Sequence, residues 1–389
     1  MIRHIRLNHP IVSRVLFVFV SLPLLVLLVR FGGNLPNPTE PTPELLKALK
    51  SGNPKIRMEA AYSLGSKDRD AKVVVPALIE ALNDEDGRVR SHAASALGFI
   101  GPAGKVAVPN LIVTLQRDRD DSVRTSAAFS LVALDKTAAV PALINTLQHD
   151  TDGTVRSDAA MALGRAGSTA RSAVPALIDA VQHREQVGFV TFDTTMRPNA
   201  AEALGKIGSD ASPAVPALMN ALKDDDPYLR WRAAEALVRI GSAARPAVPA
   251  LISALQHDPE AQVRWRAAFA IGQVDPTPTA IPVLLEALKR DRSVQVRAYA
   301  AFALGRIRST SQEKTSDIDD ALKAAVPELI KTLKDNDPNV RVSAAFALRE
   351  IGPAAQSAVP ALTQALQDEN DYVRTTARSA LERIRSHSN

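Results

Sequence analysis

The side chains of this chain that could do chemistry are seven histidines, several Asp-rich turns, one glycine-lysine stretch and two Trp-Arg dipeptides. His149, His183 and His257 each follow a glutamine near the end of an apolar run. A cation-capable side chain there suits the C-terminus of a helix, so metal ligation is not expected of them. Asp84-Glu85-Asp86-Gly87 and Asp150-Thr151-Asp152-Gly153 open like calcium loops, but such a loop needs a bidentate Glu about 12 positions from its start. Ser95 and Met161 stand there instead, so both clusters read as turns that cap the next helix. Gly101-Pro102-Ala103-Gly104-Lys105 is too short for a phosphate loop, and no Gly-x-Ser-x-Gly elbow is present. With no cysteine, thiolate metal sites, disulfides and Cys nucleophiles are excluded together. No catalytic residue, metal or cofactor is therefore assigned. What remains is Trp231-Arg232 and Trp265-Arg266, of the residue types that commonly anchor protein interfaces.

The elements that carry these pairs repeat. Prolines open apolar runs at Pro43, Pro76, Pro109, Pro141, Pro175, Pro216, Pro249, Pro282, Pro327 and Pro360, mostly about 33 residues apart, which marks a solenoid. An arginine follows each: Arg57, Arg90, Arg124, Arg156, Arg197, Arg230, Arg264, Arg297, Arg341 and Arg374. One unit reads as a helical hairpin. Val75–Leu82 has Pro76 in its first turn and an apolar stripe of Leu78, Ile79 and Leu82. Asp86 then caps a second helix, Val89 to Gly101, with Val89, Ala93, Ala96, Leu97 and Ile100 on one side and Gly101 as its stop. The 63 alanines and only 16 aromatic residues fit thin helices in close approach better than a thick core. The repeated Arg, four residues after an acid or Asn in Asn53/Arg57, Asp86/Arg90, Asp152/Arg156, Asp226/Arg230 and Asp337/Arg341, is expected to form a ladder between repeats. The fold class is thus all-α, a solenoid of about ten hairpins over residues 43–389, with insertions at 184–196 and 308–320 that are expected to be surface loops.

These units resemble HEAT repeats, and more narrowly the short, Ala-rich HEAT-like repeats of bilin lyases and related bacterial proteins, across residues 43–385. The resemblance implies a stacked α-solenoid whose surface binds a protein or peptide. It also brings two enzymes into view. Deoxyhypusine hydroxylase has similar repeats around a di-iron site held by His-Glu pairs, and no His-Glu dipeptide occurs here. A bilin-lyase-like enzyme or chaperone of cofactor attachment is the alternative function, although such lyases are cytoplasmic and the amino terminus of this chain argues otherwise.

That amino terminus has a basic tip, 1–10, and an apolar segment, 11–30, long enough to span a bilayer as a signal anchor. Arg3, Arg6 and Arg14 precede most of it, which predicts a cytoplasmic amino terminus and repeats on the non-cytoplasmic side. A cleaved signal peptide is the competing reading, but the residues after Arg30 offer no Ala-x-Ala-like site. Residues 31–42 are a Pro-rich spacer. Four arginines and no acid lie in residues 1–30, so the formal +5 charge sits almost wholly in the leader and the nearly neutral repeats are not expected to bind nucleic acid.

Between repeats, the residues one, two, five and nine after the Arg vary and share roughly one helix face. There the sixth to eighth units carry Trp231, Arg232, Trp265, Arg266, Phe269, Tyr299 and Phe302, the candidate partner-binding residues. The competing reading is that the Phe column simply packs between hairpins.

Overall fold

The structure is a computed structural model that describes residues 42–65, 70–183, 195–274, 278–310 and 316–386. The basic tip, the proposed anchor 11–30 and nearly all of the linker lie outside the described residues, as do 184–194 and 311–315 of the two insertions.

Twenty α-helices form ten consecutive hairpins among the described residues, and no strand occurs there. In chain order the pairs are α1 (Thr42–Ala48) with α2 (Pro54–Leu64), α3 (Ala71–Ala81) with α4 (Gly87–Ile100), α5 (Val108–Arg117) with α6 (Asp121–Leu134), α7 (Lys136–His149) with α8 (Gly153–Ala166), and α9 (Val174–Gln182) with α10 (Met196–Ile207). They continue as α11 (Val215–Ala221) with α12 (Pro227–Ile240), α13 (Val248–His257) with α14 (Ala261–Val274), α15 (Ala280–Arg290) with α16 (Val294–Thr310), α17 (Ser316–Thr332) with α18 (Pro338–Ile351), and α19 (Val359–Ala365) with α20 (Asp371–Arg385). Each second helix packs against the second helices before and after it, and the first helices make the other layer.

Local chemistry explains the boundaries. Asn53, Asp86, Asp226 and Asp337 cap their second helices by accepting a backbone N–H two residues on. Gly241 ends α12 at φ 79°, a conformation open to glycine and costly to any other residue, and starts the short 3-10 segment Gly241–Ala247 that leads into the next hairpin. After such a segment Pro sits at the start of the first helix, as in α5, α9, α11, α13 and α19. In α3, α7 and α17 the first helix begins earlier and Pro76, Pro141 and Pro327 lie inside it, contrary to the expectation that Pro always opens the helix. The second insertion is not wholly a loop either. Arg308–Thr310 extends α16 and Ser316–Asp320 begins α17, with Arg308 Nη1 bonded to Asp319 Oδ1 at 3.0 Å.

Leucines of the second helices, Leu97, Leu163, Leu204, Leu237, Leu304 and Leu348, are fully buried. Each contributes about 1.5–3 kcal/mol of apolar burial. The spacing between them is set by small residues: a Cβ on Gly205 would lie 2.8 Å from the Cα of Ala236 in the neighbouring second helix, so the Ala-Leu-Gly sequence is a close-approach seam.

The arginine ladder exists, but its partner differs from the one expected. Arg57, Arg90, Arg124, Arg230, Arg264, Arg297 and Arg341 each fork onto one aspartate of the following hairpin through Nε and Nη2, namely Asp84, Asp118, Asp150, Asp258, Asp291, Asp335 and Asp368, at 2.6–3.1 Å. Arg197 reaches Asp224 through both Nη atoms. These acids stand six residues before the next Arg; of the acids four residues before it, Asp86, Asp152, Asp226 and Asp337 cap the helix, whereas Asp120 accepts from Arg90 Nη2 at 2.6 Å. Nη1 of each of these arginines except Arg197 in turn binds the carbonyl six residues earlier, such as Arg230 to Asp224 O at 2.9 Å, whereas Arg197 donates through Nε to Val181 O. One guanidinium therefore closes its own hairpin turn and clamps the next, with its donors satisfied. Arg374 bonds the Asp368 carbonyl through Nη1 and pairs with Asp371 of its own helix.

The one described stretch that passes for a membrane span by length and composition, Gly87–Arg117, is α4, a 3-10 segment and α5, and the bend at Gly101 divides it into parts of two hairpins.

Candidate functional site

Because the second helices stack in register, the residue one place after the Arg of one hairpin meets the residue two places after the Arg of the next. In the amino-terminal half these contacts are hydrogen bonds. Ser91 Oγ and Ser126 Oγ are 2.8 Å apart, Thr125 Oγ1 donates to Asp158 Oδ2 at 2.8 Å, and Asn199 Nδ2 donates to Ser157 Oγ at 2.9 Å. In the carboxyl-terminal half the same contact is aromatic. The Arg266 guanidinium lies 4.2 Å from the Trp231 ring centroid, and Trp265 stacks on Tyr299 at 4.6 Å with 20° between planes.

The structure brings all seven candidate residues into one array across α12, α14 and α16. Arg266 is held between two indoles, 3.9 Å from the centroid of Trp265 on its own helix as well as 4.2 Å from that of Trp231. Arg232 covers Trp231 at 4.5 Å and Tyr228 at 5.0 Å, and donates to the Tyr228 hydroxyl at 2.7 Å. Tyr299 meets Phe269 edge-on at 5.7 Å, and Phe269, Phe302 and Phe346 continue the row at 6.0 and 5.0 Å. Tyr299 and Phe346 are buried, while the tryptophans, Arg232, Arg266, Phe269 and Phe302 are half-buried.

Carboxylates border the cations. Arg232 pairs with Glu202 at 2.9 Å and Glu235 at 3.2 Å, Lys206 pairs with Glu202, and Arg239 with Glu235. Burial alone would raise the Glu235 carboxyl, but the bond from Arg239 and the charges of Arg239, Arg232 and Arg266 hold it below its ordinary value. Burial pulls the Arg266 guanidinium down to about 10; Glu235 opposes that pull and the like charge of Arg232 adds to it, so Arg266 remains a cation at neutral pH. Burial raises the Tyr299 phenol, against the pull of Arg266. Three donors here, Trp231 Nε1, Arg232 Nε and Arg266 Nη1, are buried with no hydrogen-bond acceptor.

Sequence reasoning missed Tyr228, Glu202 and the bridging role of Glu235. Tyr228 was findable, since it precedes Trp231 by three residues and so shares its helix face. Glu202 was findable too, since it stands five residues after Arg197, the same slot as Glu235 after Arg230. His149 and His257 bond through Nδ1 to the carbonyl four residues back in their own helices. Among the described residues no group of three His, Asp or Glu side chains is placed to hold a metal. Grooves of about 890 Å³ between α1 and α3 and about 360 Å³ between α13 and α15 lie chiefly among first helices, away from the aromatic array.

Comparison with known proteins agrees with this architecture. The family pattern described as HEAT repeats matches residues 42–132, 108–187, 191–272, 248–325 and 326–388. The chain belongs to the HEAT-repeat family. None of the curated proteins compared with it matches. Among solved structures it is similar to an engineered protein at 26% identity and TM-score 0.52, over 88% of this chain and 98% of that one. It is also similar to the karyopherin Kap121p bound to the extreme C-terminus of the protein phosphatase Cdc14p, at 16% identity and TM-score 0.57, over 92% of this chain and 44% of that one. A third is Kap95p, from a structure concerning its binding to RanGDP, at 15% identity and TM-score 0.61, over 87% of this chain and 50% of that one. This chain thus spans half or less of the karyopherins it resembles, and the likeness to them is one of fold.

Proposed function

We propose that this protein is a non-catalytic HEAT-repeat scaffold that binds a protein or peptide partner on the face of α12, α14 and α16. The observation that carries the reading is Arg266, held between Trp231 and Trp265 with Nη1 buried and unpartnered. A buried donor without an acceptor costs roughly 1–3 kcal/mol, and the solenoid does not need it, since other hairpins fill the same contact with satisfied hydroxyls. An aromatic-guanidinium cluster of this kind is typical of interface anchors. Solved structures of similar fold that contain bound protein segments accord with it.

The sequence of residues 11–30 supports a signal anchor, with the amino terminus cytoplasmic and the repeats on the other side of the membrane. On that reading, protease added to sealed right-side-out vesicles digests the repeats, and full protection refutes the topology. Partner binding is tested by crosslinked pull-down from membranes with the parent chain and with Trp231→Ala/Trp265→Ala. Capture should weaken by about tenfold or more, equivalent to about 1.4 kcal/mol, in a variant that still folds. Unchanged capture refutes the site. A tetrapyrrole recovered in place of a protein would favour the bilin-lyase-like alternative, which rests on sequence resemblance alone.

A further inference from the structure

Exposed apolar side chains are distributed unevenly along the solenoid. Among the described residues the large ones are Tyr62, Val73, Phe99, Val106, Val113 and Tyr372, and all but Tyr372 lie in the first three hairpins. Single exposed hydrophobes are ordinary on a protein surface, so the weight rests on what the repeat carries at the same slots. Phe99, 57% exposed, stands nine residues after Arg90, where later hairpins have Arg165, Lys206 and Arg239. Val113, four residues after Pro109, stands where they have Asn145, Asp179 and Asn220. Val73 and Val106, three residues before Pro76 and Pro109, share a slot that later holds Ser172, Pro213 and Ser357, and Val106 is 69% exposed. Three of these side chains also share one place, the edge of the solenoid where a second helix ends and a first helix begins. Phe99 is in the last turn of α4, Val106 in the 3-10 segment Gly101–Ala107 that follows it, and Val73 in the first turn of α3, which packs against that segment. Val113 continues the exposed row along α5. Lys72 and Lys105 adjoin the two valines, and Lys105 is 64% exposed although it pairs with Asp135 at 2.7 Å. Apolar side chains flanked by lysines suit a bilayer surface, where the first enter the acyl boundary and the ammonium groups stay among the headgroups.

We propose that this edge of the second and third hairpins rests in the headgroup region of the bilayer that holds residues 11–30. The proposal rests on the signal-anchor reading and adds a second, reversible membrane contact made by the repeats themselves. The spacer 31–41 extends to about 40 Å at most, so the anchor keeps the first hairpins at a high local concentration near the lipid surface, and a few apolar side chains suffice to hold them there. The later hairpins, polar at the same slots, make no such contact.

The chain has no cysteine, so a single introduced one reports one place. Ala103→Cys and Ala354→Cys occupy the same exposed slot in the 3-10 segments Gly101–Ala107 and Gly352–Ala358. Each full chain, labelled there with a fluorophore, is reconstituted in vesicles of equimolar phosphatidylcholine and phosphatidylglycerol and quenched either by a nitroxide on the lipid or by iodide in the water. Lipid quenching should be severalfold stronger at position 103 than at 354, and iodide quenching weaker. The difference should vanish when Phe99→Gln, Val106→Ser and Val113→Asn give the edge residue types that later hairpins carry at these slots, with the melting temperature little changed. Equal lipid quenching at the two positions overturns the proposal, as does a difference that survives the triple variant. Protection of position 103 from iodide without lipid quenching would mean that another protein chain covers the edge, and overturns it too. Alkaline carbonate extraction of the same vesicles reports the anchor separately. A chain retained by the vesicles but free of lipid quenching at position 103 loses only the edge contact, whereas extraction of the chain removes the anchor reading and the edge contact with it.

Discussion

The amino-terminal and carboxyl-terminal halves of the second-helix layer are built on one scaffold and filled with opposite chemistry. Between α4 and α10 the contact from one hairpin to the next is made by Ser91, Thr125 and Ser157, short hydroxyls whose hydrogen bonds close on the protein itself. Between α12 and α16 it is made by Trp231 and Trp265, whose partners Arg266 and Tyr299 are stacked rather than bonded. In the first arrangement both groups of each contact are hydrogen-bonded. The second leaves donors without acceptors, and a solenoid can carry that cost because each hairpin is stabilised mainly by its neighbours. The Arg–Asp ladder beneath both halves is the same, so the difference is one of surface and not of fold.

That separation can be broken experimentally. The ladder should matter equally in both halves, because the Arg90–Asp118 and Arg230–Asp258 pairs are similarly buried, with side-chain exposures of 6% and 9% against 10% and 4%. Arg90→Ala and Arg230→Ala each leave a buried aspartate unpaired and should each cost about 3 kcal/mol in chemical denaturation. A large difference between them would mean that the scaffold is not uniform. Burial alone would raise the Asp118, Asp291, Asp335 and Asp368 carboxyls, but the bonds from their arginines and from backbone amides hold them below the ordinary range. Groups depressed in the folded state add stability that is complete above their unfolded value of about 3.9 and lost as pH falls through the folded one. Stability should therefore be level from about pH 7 to 5 and fall on acidification below about 4.

The contact between hairpins should differ in size between the halves. Trp265→Ala removes a stacked, half-buried ring and should cost about 2 kcal/mol, against about 1 kcal/mol for Thr125→Ala, which removes one hydrogen bond to Asp158. Equal losses by thermal melting would erase the distinction. The smallest effect concerns Asp158, whose carboxyl is raised by burial against the bond from Thr125. A group raised in the folded state destabilises once pH exceeds its unfolded value, so Asp158→Asn should stabilise the chain by under about 1 kcal/mol at pH 7 and by less near pH 4. A pH-independent effect would show that Asp158 is not desolvated.

Much of this was legible in the sequence. A repeat of period 33 with Pro, Asp, Arg and Gly at fixed places writes the hairpin, its cap and its stop directly, since each residue type acts through its own backbone chemistry. The ladder was legible as a column of arginines but its partner was not. Two aspartate columns, four and six residues before the Arg, satisfy the same local pattern, and only the stacking of neighbours decides that Asp86 caps while Asp84 pairs. The candidate residues could be listed from their slots, yet the sandwich of Arg266 between indoles of two helices depends on the offset between adjacent hairpins. That offset is a property of packing at Ala and Gly seams, which a linear pattern does not encode.

Ala133 and Arg239 occupy the same slot, nine residues after Arg124 and Arg230, and both are exposed. A photo-crosslinking side chain at either position, in the full chain in membranes, compares the halves directly. The account predicts a discrete adduct from position 239 that disappears in Trp231→Ala/Trp265→Ala, and none from position 133. Adducts of equal yield from both positions, or a 239 adduct indifferent to the tryptophans, would contradict it.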